Sequence, residues 1–266
     1  MTDKSESAEV ATQPETPQAN GVSWSPFLAI IYALVSFGLI TQLAVPAALY
    51  SALVVTGKTS QQALAMLQHS IAWQFVYVLL AEGIMFGAVW WFLKKHKKGL
   101  RTIGWRRLRW SDGVVTLCGF AVYFVTYAIL LAIATHYIPS FNAGQKQELG
   151  FDNVAGTGNL LLTFASLVVL PPIVEETLFR GFIFTSLRGK SRFAWSALIT
   201  SVLFALAHLE FGSGKPLLWV AALDTFTLSL VLCYLREKTD SLWPGILLHA
   251  LKNGIAFISL YLLHLS

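Results

Sequence analysis

The chain has 266 residues, of which 55% are hydrophobic and 12% are charged. An ordinary soluble domain carries about twice that fraction of charge, so the composition excludes a soluble globular protein. It predicts an all-α fold, a polytopic helical bundle in a membrane. The net charge is +5, and eight basic residues fall between positions 94 and 109. This segment predicts a cytoplasmic loop beside anionic lipid, with no nucleic-acid partner.

Seven apolar segments follow a polar start. We predict that residues 1–22 form a disordered cytoplasmic tail and that residues 23–266 form one membrane domain. The segments long enough to span a bilayer are 26–55, 70–93, 113–138, 159–187, 192–209, 216–235 and 242–265. Basic residues concentrate in alternate loops, so the positive-inside rule places the N-terminus in the cytoplasm and the C-terminus outside a multi-pass cell-membrane protein.

The fourth segment contains three charges within six residues, Glu175, Glu176 and Arg180. Charge at membrane depth is costly and indicates either function or an internal ion pair. Glu176 and Arg180 are four residues apart on one helical face, so they can form such a pair. Glu175 is rotated by about 100° from Glu176 and has no partner within that helix. It is therefore the candidate for chemistry.

Two prolines, Pro171 and Pro172, precede these charges. Proline lacks an N–H group and clashes with the preceding turn, so the sequence predicts a fourth span that is broken or kinked there. A helix would restart at or just after Pro172. The two glutamates would then lie in its first turn, where the positive end of the helix dipole stabilises carboxylates.

Two later segments carry further polar candidates. His208 lies near the end of the fifth span, and His249 and Asn253 share a face of the last span. Straight helices would place Glu175 roughly 19 Å and His249 about 10 Å from the cytoplasmic ends of their spans, so kinks or tilts must bring them together. A glutamate with a histidine can deprotonate a water, and an imidazole with an amide can stabilise an oxyanion. The donors Glu175, His208 and His249 could instead bind zinc, and the chemistry alone leaves both mechanisms open.

These residues form three motifs in order: EExxxR at 175–180, FxxxH at 204–208 and HxxxN at 249–253. With the residues around them, they resemble the CAAX protease and bacteriocin-processing family of intramembrane proteases, also called CPBP or Abi. Its eukaryotic members are the type II CAAX prenyl endopeptidases. The resemblance covers residues 171–253, with the core of that fold expected at about 160–260.

The resemblance implies a role for each matching residue. Glu175 would activate the water with help from His208, while His249 and Asn253 would bind the oxyanion. Glu176 and Arg180 would support the site. Members of the family are commonly labelled metalloproteases, which implies a divalent metal such as zinc on Glu175, His208 and His249. We favour water activation by Glu175 and leave the metal open.

The expected partners are the lipid bilayer and a membrane-associated or lipidated protein substrate. The alternative is a non-catalytic bacteriocin-immunity or scaffold protein on the same fold. A transporter is a third hypothesis, which the interrupted fourth span favours but which no internal repeat supports.

Three other intramembrane charges need an explanation. Asp224 and Lys252 lie within the sixth and seventh spans and depart from the family pattern. They are predicted to neutralise each other across helices, with Asp224 lining the cavity as the alternative. Glu82 in the second span could pair with Arg180 or face the cavity.

Overall fold

The computed structural model describes residues 22, 24–145, 150–152, 154–209 and 216–264. Over these ranges the chain forms eight helices, a 3-10 turn at Leu100–Ile103 and no strand. The helices are α1 (Pro26–Val55), α2 (Ser60–His69), α3 (Ile71–Lys95), α4 (Trp110–Tyr137), α5 (Thr157–Arg188), α6 (Phe193–Leu206), α7 (Trp219–Thr239) and α8 (Trp243–Leu262). Of the predicted disordered tail, residues 1–22, all but Val22 lies outside the described residues.

Six of these helices are long and apolar enough to cross a membrane, which confirms the polytopic all-α bundle. The exception among the seven predicted spans is α6. Its 14 residues rise by about 21 Å, less than the roughly 30 Å of a bilayer's hydrocarbon core. The predicted span 192–209 therefore includes the turn that carries His208, which follows the helix.

The core is organised around α5, which contacts α1, α3, α6 and α8. On one side, the Phe182 ring stacks on Trp24 with centroids 5.5 Å apart and meets Phe92 edge-on at 4.9 Å. Such aromatic pairs stabilise beyond the area that they bury. A second cluster, centred on Leu232 and Leu248, joins α4, α7 and α8. The charges of α5 consequently lie in the interior of the bundle.

The loop between α3 and α4 contacts the second half of α5 and the start of α8. The Leu242 N–H donates to the Gly104 carbonyl over 2.9 Å. The Trp105 indole N–H donates to the Thr177 hydroxyl over 3.1 Å, and its ring meets that of Trp243 edge-on at 5.4 Å. One loop thus contacts both the helix that carries Glu175 and the start of the helix that carries His249.

Candidate active site

Helix α5 does not break at its two prolines. It runs from Thr157 to Arg188, and the hydrogen-bond pattern changes type along the way. Residues Ala165–Val169 are π-helical, and the α-helical segment Leu170–Glu176 that follows has the prolines in its first turn. A π turn shifts each acceptor by one residue, which lets a helix accommodate a residue without an N–H. The predicted interruption is therefore a change of helix type.

Glu175 and Glu176 lie in the last turn of the segment Leu170–Glu176, not in its first. Because the helix continues into a second π segment at Thr177–Ile183, these carboxylates do not lie at an N-terminus of α5. The prediction that they occupy the first turn of a restarted helix is wrong. The charge that faces Glu176 is the Arg180 guanidinium, whose Nη1 lies 2.8 Å from Oε1 with both side chains fully buried. This confirms the predicted ion pair.

His249 lies between the two glutamates. Its Nδ1 is 3.3 Å from Glu176 Oε1, and its Nε2 is 3.9 Å from Glu175 Oε2. If Nδ1 carries the proton and donates it to Glu176, Nε2 presents its lone pair toward Glu175. Glu175 Oε2 is buried and has no hydrogen-bond partner within the described residues. A buried carboxylate oxygen without a partner is a candidate for chemistry.

His208 reaches the same region from the turn after α6. Its Nδ1 lies 2.8 Å from the Phe204 carbonyl oxygen, so its Nε2 is the nitrogen left for the site. The Phe204 ring lies 4.7 Å from the His208 ring and 5.8 Å from the His249 ring, measured between centroids. The Arg180 guanidinium carbon stands 4.3 Å from the centroid of the same ring, a cation–π contact. Phe204 therefore joins both histidines to the ion pair, a role that the sequence reasoning missed although the residue opens the FxxxH motif.

Asn253 lies close to the site, but its amide is engaged with backbone. Its Nδ2 donates to the Leu167 carbonyl oxygen of α5 over 2.9 Å. The structure thus gathers Glu175, Glu176 and His249, with His208 on the other side of Phe204. The expected oxyanion contact of Asn253 stays a prediction.

The metal set of Glu175, His208 and His249 stays a prediction. No group of three or more His, Cys, Asp or Glu side chains in the described part of the chain is placed to hold a metal ion. His249 directs Nδ1 at Glu176, and its Nε2 is 3.9 Å from Glu175 Oε2. Two ligands of one tetrahedral zinc ion lie roughly 3.5 Å apart, so these two atoms are close to, but not at, the separation that a shared ion requires.

Glu82 of α3 has a buried carboxylate. Its Oε2 has no hydrogen-bond partner among the residues described. No ion pair joins it to Arg180 in the described part of the chain. Of the two hypotheses for this residue, the structure favours a carboxylate that faces the site.

Asp224 and Lys252 pair across α7 and α8, with 2.7 Å between Nζ and Oδ2, which confirms the predicted neutralisation. The Tyr123 hydroxyl of α4 donates to Asp224 Oδ1.

We expect Asp224→Asn to lower the free energy of unfolding by about 2 kcal/mol, because it leaves the ammonium of Lys252 without its counter-charge. Thermal unfolding in detergent checks this. The double variant Asp224→Leu, Lys252→Met should recover most of the lost unfolding free energy. A double variant as unstable as Asp224→Asn would contradict the role of the charge pair.

Comparison with known protein families places these residues in context. A family model described as type II CAAX prenyl endopeptidase Rce1-like matches residues 157–255. This range begins at the start of α5, extends into α8 and contains all three motifs. No solved structure matches the chain.

Three curated proteins are similar to the chain over different lengths. An uncharacterised 24.3 kDa protein of Escherichia coli is 31% identical, in an alignment that covers 69% of this chain and 95% of its own. The UPF0177 protein YxdF of Lactococcus lactis subsp. lactis (strain IL1403) is 28% identical over 61% of this chain and 82% of its own. A Bacillus subtilis (strain 168) protein named "Putative membrane peptidase YdiL" is 30% identical over 49% of this chain and 56% of its own. Together with the matched motifs, these similarities show that the chain belongs to the type II CAAX prenyl endopeptidase Rce1-like family of membrane proteins.

Proposed function

We propose that this protein is an intramembrane endopeptidase that hydrolyses a peptide bond of a membrane-associated or lipidated protein. One observation carries the proposal: the buried Glu175 Oε2 has no hydrogen-bond partner among the described residues and lies 3.9 Å from His249 Nε2. A carboxylate oxygen that is free of other bonds can accept a proton from water. Family membership supports the protease class.

The reaction begins when Glu175 accepts a proton from a water molecule. The water oxygen bonds to the carbonyl carbon, and the carbonyl oxygen becomes an oxyanion. His208 helps to hold the attacking water through its Nε2, because its Nδ1 is hydrogen-bonded to the Phe204 carbonyl oxygen. Glu175 then gives its proton to the amide nitrogen as the C–N bond breaks, which releases an amine and a carboxylic acid and restores the Glu175 carboxylate.

The oxyanion needs a donor, and the contacts of His249 favour it for this role. Its Nδ1 faces the Glu176 carboxylate, so when Nε2 has also taken a proton from solvent before the reaction begins, Glu176 stabilises the charge of the resulting imidazolium. That imidazolium donates from Nε2 to the oxyanion. Arg180 holds the Glu176 carboxylate in place, which is how the buried ion pair would support the chemistry.

An apolar cavity at the end of α6, whose lining does not include His208, supports a lipidated or membrane-embedded substrate. Its volume is about 510 Å³, and its lining includes Leu206 and Leu209, which flank His208, together with Leu223 and Phe226 of α7. Predominantly apolar pockets of this size bind apolar ligands. An acyl or isoprenoid chain held there would bring the attached peptide toward the imidazole of His208.

The test compares the termini of membrane proteins in cells that express the wild type or Glu175→Gln at equal levels. Glutamine has the shape of glutamate but is not a base, so cleavage should fall by at least about 100-fold. Glu237→Gln serves as the matched control, since Glu237 pairs with Arg188 away from the site. Termini seen with the wild type and the control alone establish the protease and identify its substrate. Identical termini with Glu175→Gln would reject the proposal in favour of a non-catalytic immunity or scaffold protein.

A further inference from the structure

The Leu167 carbonyl cannot find a donor in its own helix. An α-helix would supply the N–H of residue 171 and a π-helix that of residue 172, but both residues are proline. The N–H of Leu170, which a 3-10 turn would use, donates to the Ala165 carbonyl instead. Every helical pattern therefore leaves this carbonyl unsatisfied. At membrane depth such a group costs several kcal/mol.

Asn253 of α8 supplies the missing donor. Its Nδ2 lies 2.9 Å from the Leu167 oxygen, and the bond is partly buried between α8 and α5. One turn earlier on α8, His249 contacts Glu176, which lies farther along α5. The two helices are thus joined at two heights by side chains from one face of α8. Two such contacts fix both the height and the rotation of one helix against the other.

We propose that Asn253 is a positioning residue, which sets Glu175 against His249 by giving the proline-interrupted turn of α5 its missing hydrogen-bond donor. The inference rests on the proposed peptidase function and deepens it. The two prolines and Asn253 act together. The prolines leave the Leu167 carbonyl without a donor at a fixed height in α5, and the Asn253 amide donates to it. This arrangement explains why the Asn253 side chain is directed at backbone and not at Glu175.

The test restores the donor by a second route. Asn253→Ala should lower kcat by about 100-fold with KM little changed, because a small misplacement of the reacting groups is enough for such a loss. Pro171→Ala returns an N–H at the position that an α-helix would use for Leu167. The double variant Pro171→Ala, Asn253→Ala should therefore recover activity to within about threefold of Pro171→Ala alone. Rates are measured on a synthetic peptide that spans a terminus found in the comparison of membrane proteins.

A double variant as inactive as Asn253→Ala would overturn the proposal and favour direct binding of the oxyanion by the amide. A second measurement does not depend on activity. Four proteins that all carry Glu175→Gln are melted in detergent: one with no further change, one with Pro171→Ala, one with Asn253→Ala and one with both. Asn253→Ala should lower the melting temperature less when residue 171 is alanine than when it is proline. Additive shifts would overturn the proposal even if no substrate is found, so its failure is distinguishable from failure of the peptidase function.

Discussion

Glu176→Gln is expected to destabilise the protein by about 3 kcal/mol and to abolish cleavage. The substitution keeps the shape of the side chain but leaves the fully buried Arg180 guanidinium without a counter-charge. Within the described residues, Arg180 Nε and Nη2 have no hydrogen-bond partner that could compensate. The cation–π contact with Phe204 remains, worth about 2 kcal/mol or more at a desolvated site, but it supplies no counter-charge. Thermal unfolding in detergent measures the loss.

The control for this prediction removes the charge of both partners. Replacing a buried ion pair by apolar residues of similar volume is often neutral or stabilising. Glu176→Leu with Arg180→Met should thus unfold closer to the wild type than Glu176→Gln does, while remaining inactive because His249 Nδ1 has lost its carboxylate. A double variant less stable than Glu176→Gln would show that packing, and not charge, dominates at this position.

Gly245→Ala is expected to reduce cleavage by about 100-fold, through displacement of the Glu176 carboxylate. A Cβ atom at Gly245 would lie 2.9 Å from Glu176 Oε2, closer than real Cβ atoms approach a neighbour. The carboxylate cannot turn away freely, since Arg180 and His249 hold its other oxygen. Helix α8 must then shift, and His249 shifts with it. The measurement is the cleavage rate at matched amounts of folded protein.

Gly254→Ala is the matched control on the same helix. There the added Cβ would meet Val168 Cγ1 at 3.6 Å, an ordinary van der Waals distance. Both substitutions replace glycine by the best helix former, so the change in helix propensity is common to them. Equal activity of the two variants would show that the close approach at Gly245 has no role in the site.

Local spacing explains what the sequence could predict. The ion pair of Glu176 and Arg180 follows from four-residue spacing on one helix, which brings the two side chains together even though Arg180 lies in a π-helical segment. The spans follow from hydropathy, since a bilayer fixes the length of apolar helix that it needs. The pairing of Asp224 with Lys252 could be inferred because two opposite charges within a membrane seldom remain apart.

Contacts between helices explain what the sequence could not predict. Whether a proline breaks a helix or is absorbed by a π turn depends on a donor from elsewhere, and here that donor is Asn253, over 80 residues away. The depths estimated for Glu175 and His249 differed by about 9 Å because each span was treated as a straight rod from its own end. The loop that carries Gly104 and Trp105 contacts both helices, and no spacing within either helix encodes that contact.

The shortness of α6 has a consequence for the surrounding lipid. Apolar side chains of this helix, among them Trp195, Leu198 and Val202, face outward, yet the helix covers only about two thirds of the hydrocarbon thickness. Hydrophobic mismatch of this kind is met by local thinning of the bilayer. Thinning on the side where α6 ends would bring the water interface closer to His208, which follows that end. We therefore expect acyl-chain length in the host membrane to affect how readily water, a reactant in hydrolysis, reaches this side chain.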